Sequence, residues 1–259
     1  MFRTGGVFAN RFHTDIVNKN RDRNKIRKQE VIASKARTPC GEWIDDPDTP
    51  LHNAVEKGDV KEVAWLLGHN VDVRAVDEDG RTALHLAVVC DKNSTNKILL
   101  RHMTTADVLA ENDSGMTPVH FAASQSSDIM RILIQYIRTT SENELPAYLD
   151  CVDHFGETPL FEAVHQRNVP MVELILEFDV NSTRTNEIGN TALHDVATEN
   201  MYDDMKPVDV GITIAALLLH HDTRGLTMQN DERMTPLQCA VEHSSMTMVH
   251  LLADEGVDA

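Results

Sequence analysis

A seven-residue pattern opening on Thr-Pro or Thr-Ala and then Leu or Val occurs six times in this chain. The copies are TPLHNAV at Thr49–Val55, TALHLAV at Thr82–Val88, TPVHFAA at Thr117–Ala123, TPLFEAV at Thr158–Val164, TALHDVA at Thr191–Ala197 and TPLQCAV at Thr235–Val241. Successive threonines are 33, 35, 41, 33 and 44 residues apart. A basic step near 33 with occasional insertions is the mark of a repeat array. Such an array excludes a single central sheet, because each unit is one supersecondary element that must bury itself against its neighbours.

The heptad is also a helix start. Thr is a good N-cap, since its hydroxyl can accept from the free amides of the first turn. Pro50, Pro118, Pro159 and Pro236 then fall at the first helical position, where a missing N–H costs nothing. Leu51, Ala54 and Val55 follow at the spacing that puts three apolar groups on one face, as do Leu84, Ala87 and Val88. The recurring small Ala suggests close approach of one helix to the next. Gly80, Gly115, Gly156 and Gly189 each stand two residues before a Thr, where a tight turn needs positive φ. A second apolar cluster follows each heptad: Leu66–Leu67, Leu99–Leu100, Leu133–Ile134, Ile175–Leu176, Leu217–Leu218 and Leu251–Leu252. Each unit therefore reads as short helix, turn, longer helix and projecting turn.

On these residues the chain resembles the ankyrin-repeat family. The resemblance implies an all-α solenoid of helix-turn-helix units with projecting β-turns or hairpins. Six repeats are expected at about 42–75, 76–107, 108–150, 151–183, 184–227 and 228–259. Two insertions lengthen the array, at Arg138–Asp150 in the third repeat and Asn200–Val208 in the fifth. The first and last units lack the turn glycine, having Pro47 and Arg233 there, as suits terminal repeats. Asp59 after Gly58 and Asn168 before Pro170 mark starts of second helices. Trp65, beside Leu66, is expected to pack.

Charge divides the chain in two. Residues 1–40 hold ten Lys or Arg and three Asp or Glu, whereas residues 41–259 hold 14 basic and 38 acidic groups, a net −24 within a total of −17. That split describes a basic arm, residues 1–41, on an acidic body, residues 42–259. Eight basic residues lie between Asn18 and Arg37. The arm reads as a solvated, partly helical tail, with a localisation pattern at Arg21–Lys28 and a transit-like first segment as alternatives. Nucleic acid is a partner only through that arm, because the body repels it. No apolar run approaches membrane-spanning length. Four scattered cysteines without a CxxC pair suggest reduced thiols in cytoplasm or nucleus.

Nothing in the sequence points to catalysis: nucleophile-elbow, phosphate-loop and HExxH patterns are missing. His52, His85, His120 and His194 hold one heptad position in successive units, about 10 Å apart if helices pack normally. That is too far for a shared ion, whose ligands sit about 2 Å from the metal. The resemblance implies instead that these rings bond backbone groups at the turns. Asp113-Ser114-Gly115 mimics a phosphodegron but occupies a repeat turn, and Asp203-Asp204 reads as a solvated loop. We therefore expect no metal, no cofactor and no enzyme activity.

What remains is a surface. Partners of ankyrin-repeat proteins dock on the concave face made by the projecting turns. Carried onto this chain, its positions are Glu78, Asp79 and Arg81; Asp113 and Met116; His154, Phe155 and Glu157; Glu187, Ile188 and Asn190; and Asp231, Glu232 and Met234. Acids around a few apolar anchors suit a basic, partly apolar segment of another protein. The array is also similar to inhibitors of the NF-kappaB type, which implies masking of a basic segment on a Rel-type transcription factor by a monomeric scaffold. An adaptor joining a client to a ubiquitin-ligase or chromatin complex through the basic arm is the alternative.

Overall fold

A computed structural model describes residues 50–69, 71–140, 145–198, 208–243 and 245–257. The basic arm, the start of the first repeat and Asn200–Pro207 of the second insertion lie outside the described residues.

The described chain is a row of paired helices. The first helices of the six units are α1 (Pro50–Lys57), α3 (Ala83–Val89), α6 (Pro118–Gln125), α9 (Pro159–His165), α11 (Ala192–Thr198) and α13 (Pro236–Glu242). Their partners are α2 (Val60–Gly68), α4 (Asn93–Leu100), α7 (Ser127–Thr140), α10 (Val169–Leu176), α12 (Val208–His221) and α14 (Met246–Val257). Short helices α5 (Thr105–Val108) and α8 (Leu145–Leu149) and a 3₁₀ segment at Thr223–Thr227 fill the longer connections. First helices stack on first helices and second on second along the row. Extended pairing among the described residues is confined to two isolated bridges, Val76 with Thr82 and Thr185 with Thr191. This is the expected all-α solenoid.

The apolar face set by the heptad explains the stacking. Leu51, Ala54 and Val55 are buried, as are Leu84, Ala87 and Val88, then Val119, Ala122 and Ala123, then Leu160, Ala163 and Val164, then Leu193, Val196 and Ala197. One continuous core runs through all of them. Each buried Leu contributes roughly 2–5 kcal/mol by the cost of its truncation. The sixth unit departs: Ala240 is buried, but Val241 is 59% exposed, because no described unit packs on its outer side.

Local signals act as their chemistry suggests. Asp59 caps α2, its carboxylate accepting from the amides of Lys61 and Glu62 at 3.0 Å each. Asn168 caps α10 by accepting from Met171, and Pro170 sits in the first turn, where no amide is missed. Between paired helices the chain takes positive φ at Gly58, Asp91 and Arg167, equivalent positions of which only the first is glycine.

Two details differ from expectation and one adds to it. Trp65 does not pack into the core; it lies 38% exposed, stacked on His69 with ring centroids 4.0 Å apart. It sits one position off the line of Val63, Leu66 and Leu67, which α2 turns inward. In the fifth unit the buried face of α12 is Ile214, Ala215, Leu218 and Leu219, one residue later than the expected Leu217–Leu218. The third unit's insertion, for which spacing gave no structure, is partly helical. Its first part extends α7 to Thr140, and α8 returns Leu145, Tyr148 and Leu149 to the core.

Candidate protein-binding surface

Five projecting turns share one construction. Asp77, Asn112, Asp153, Asn186 and Asn230 each accept, through one side-chain oxygen, the amides two and four residues on. Their own amides close the turn on the carbonyls of Arg81, Met116, Glu157, Asn190 and Met234. The glycine positions follow at φ of 75–79°, and Arg233 takes the same place at φ 60°.

Consecutive turns are then bonded to each other. The amide of Asp113 donates to the carbonyl of Asp79 (3.1 Å), His154 to Ser114 (3.0 Å), Glu187 to Phe155 (2.8 Å) and Asp231 to Ile188 (3.2 Å). This backbone ladder brings the turns so close that a Cβ on Gly115 would lie 2.7 Å from the His154 nitrogen. Glycine is thus demanded twice, by φ and by the neighbouring turn.

Below the ladder runs a histidine relay. The Thr82 amide donates to His85 Nδ1 at 3.1 Å, which places the ring proton on Nε2, and Nε2 donates to the Met116 carbonyl of the next unit at 3.1 Å. His120 repeats this between Thr117 and Glu157, and His194 between Thr191 and Met234. His52 Nε2 contacts the Arg81 carbonyl at 2.8 Å. Burial pushes His85 down to about 4 and lowers His120 and His194, so the rings are held neutral. The heptad histidines therefore bond backbone, as the family resemblance implied. In the sixth unit Gln238 completes the cap in place of His, accepting from the Thr235 amide at 2.9 Å.

The turn positions expected to meet a partner divide in three. Glu78, Asp79, His154, Glu187, Ile188, Asp231 and Glu232 are exposed, Ile188 at 60%. Asp113, Met116, Phe155 and Met234 are half-buried. Arg81, Glu157 and Asn190 are occupied by the fold itself. Arg81 is paired with Asp77 at 2.8 Å and Asp79 at 3.2 Å. Asn190 is buried and does not reach solvent as expected, because it donates to Asp195 Oδ1 at 2.9 Å and accepts from Asn230 at 2.9 Å.

Glu157 belongs to a cluster that spacing does not reveal. His165 Nε2 lies 3.1 Å from Asp195 Oδ2, and His165 Nδ1 lies 3.8 Å from Glu157 Oε2. Asn186 donates to Glu157 Oε1 at 3.2 Å. The bond to Asp195 is the main reason that His165 is pushed up to about 9, with Glu157 and Glu162 adding to the effect against desolvation. At neutral pH His165 is an imidazolium held between two carboxylates. The signal in the sequence is three scattered acids, Glu157 just before α9, Glu162 within it and Asp195 in α11 of the next unit.

The ladder, the histidine relay and the heptads define a class of protein, and comparison with known families agrees. The description "Ankyrin repeats (3 copies)" matches residues 29–112 and 51–143, and "Ankyrin repeat" matches residues 155–186. The chain belongs to the ankyrin-repeat family. Over 198 residues it is 28% identical to transient receptor potential cation channel subfamily A member 1 of Drosophila melanogaster, covering 73% of this chain and 15% of that protein. Over 149 residues it is 30% identical to the nuclear factor NF-kappa-B p105 subunit of Gallus gallus, covering 56% of this chain and 14% of that one. The chain thus spans a small part of these relatives, which differ widely from one another. A solved ankyrin repeat domain from Acinetobacter baumannii AYE superposes with a TM-score of 0.66 at 25% identity, covering 80% of this chain and 97% of that one. Among the described residues no helix is long and apolar enough to cross a membrane.

Proposed function

We propose that this protein is a non-enzymatic binding scaffold whose turn tips grip a basic, partly apolar segment of another protein. The observation that carries the reading is the ladder. Backbone bonds fix the spacing of the tips, while Glu78, Asp79, Glu187, Asp231 and Glu232 project from them with Ile188 among them. Acids so held raise the encounter rate with a basic segment and set its register. The apolar side chain supplies an anchor that the acids surround.

The particular partner we infer is the basic segment of a Rel-type transcription factor, met in the cytoplasm or nucleus. Similarity to the p105 subunit of nuclear factor NF-kappa-B is compatible with this partner. The test is titration of the full chain with a purified Rel-type protein and with the same protein lacking its basic segment. The reading expects saturable binding that weakens steeply between low and high salt and disappears with the segment. Binding to neither protein removes the Rel assignment. Salt-insensitive binding removes the acidic tips as the recognising feature.

A further inference from the structure

We propose that Glu157, His165 and Asp195 form a site for a divalent transition metal, zinc in the first instance, that clasps the fourth repeat to the fifth. One ligand atom from each residue falls within 4.8 Å of the other two. Ligand atoms around a tetrahedral zinc, at about 2.0–2.2 Å from it, stand about 3.4 Å apart. The trio is therefore at most about 1.4 Å from closure, a movement within reach of rotating side chains.

The surroundings are arranged as in a site whose ligands are aimed in advance. Each carboxylate has one oxygen tied back by an asparagine amide. Asn186 holds Glu157 Oε1 and Asn190 holds Asp195 Oδ1. The other oxygens face the imidazole from its two sides, Oδ2 toward Nε2 and Oε2 toward Nδ1, so closing on a metal at one ring nitrogen requires one carboxylate to swing round beside the other. Asn190 is fixed in turn by Asn230 of the sixth unit. Partners of this kind orient first ligands and their loss weakens metal binding. Zinc displaces the proton of the His165 imidazolium to solvent, so binding should release one proton and weaken as pH falls. The two carboxylates and the resulting neutral imidazole neutralise a dication and are a donor set that zinc accepts. Three protein ligands on a half-buried ledge leave a fourth position for water or for a donor from a bound protein.

The location has its own logic. In the first, second, third and fifth units a histidine ring bridges to the next turn, but the fourth carries Phe161, which has no polar atom to offer. The side-chain cluster stands at the one junction of the relay that the ring does not span. A metal there would supply the missing link between units.

The test uses the full chain, stripped with EDTA and titrated calorimetrically with zinc chloride, then with cobalt chloride followed by visible absorption. The expected result is one tight equivalent per chain and a cobalt spectrum without a thiolate charge-transfer band. His165→Ala should abolish that equivalent, and Asn190→Ala, which removes no ligand, should weaken it by about tenfold. If His165→Ala fails to fold by circular dichroism, Glu157→Gln replaces it, an isosteric change expected to weaken binding by about tenfold or more. No tight equivalent in the unaltered chain overturns the proposal. So does an equivalent that survives these substitutions, or a thiolate band placing the metal on one of the four cysteines.

Discussion

Replacing Gly115 by Ala should cost far more than the addition of a methyl group suggests. At φ 79° an L side chain meets its own backbone, at about 1–2 kcal/mol. The new Cβ would also stand 2.7 Å from the His154 nitrogen and 2.6 Å from His154 Cδ2. That forces the fourth unit's turn away and breaks its 3.0 Å bond to the Ser114 carbonyl, about 1 kcal/mol more. The sum is about 2–3 kcal/mol. Gly156→Ala provides the comparison, because its φ is 75° while its nearest backbone neighbours lie at 3.2 Å, a distance that a small shift relieves. It should lose only the conformational part, about 1–2 kcal/mol. Urea denaturation followed by circular dichroism measures both losses, and amide exchange at His154 reports the rung directly. Equal losses for the two substitutions, or an unchanged His154 exchange rate in Gly115→Ala, would show that turn-to-turn stacking does not select this glycine.

Other outcomes follow from the same structure. Because burial pushes His85 from 6.5 to about 4, the unfolded chain takes up that proton first as pH falls. The contribution of the neutral ring is therefore complete above pH 6.5 and is lost between 6.5 and about 4, reaching about 3 kcal/mol for this one group. His120 and His194 act in the same direction, whereas His165, pushed up to about 9, opposes them only above pH 6.5, so urea midpoints at pH 6.5, 5.5 and 5 should fall, and His85→Gln should flatten the fall. Asn96 is fully buried, and its Oδ1 has no partner, although Nδ2 donates to Ala87 and Lys92 carbonyls that backbone amides already satisfy. Val63 and Val172 hold the equivalent places, so Asn96→Val should raise stability by about 1 kcal/mol in urea denaturation. Finally, Ile188→Ala should weaken partner binding by about tenfold while leaving the urea midpoint unchanged, since its side chain is 60% exposed.

Most of the architecture was legible because the determining contacts are periodic. Thr82, Leu84, Ala87 and Gly80 recur in sister units, so one heptad read correctly places five others. The relay was legible for the same reason, since His85, His120 and His194 share a position and a backbone target. What escaped depends on register between units, which a spacing rule does not supply. His165, 30 residues from Asp195, meets it only because α9 and α11 lie side by side. Asn190 looked like a surface residue because it precedes a heptad Thr, yet two neighbouring side chains claim its amide and bury it. Trp65 was misjudged by one position on a helix, enough to turn a ring outward. The α8 insertion carried its own apolar residues, Leu145, Tyr148 and Leu149, a pattern too short to distinguish from a loop in advance.

In the ladder every rung is main chain, an amide from one tip and a carbonyl from the one before. The chemical identity of residues such as Glu187 or Ile188 is therefore absent from the joint that positions them. A new specificity could be written onto these tips without redrawing the backbone beneath them. The same feature limits the freedom: proline cannot occupy the donating position, since it has no hydrogen to contribute. Any collection of altered tips that omits proline at 113, 154, 187 and 231 should keep its spacing and vary only in what it holds.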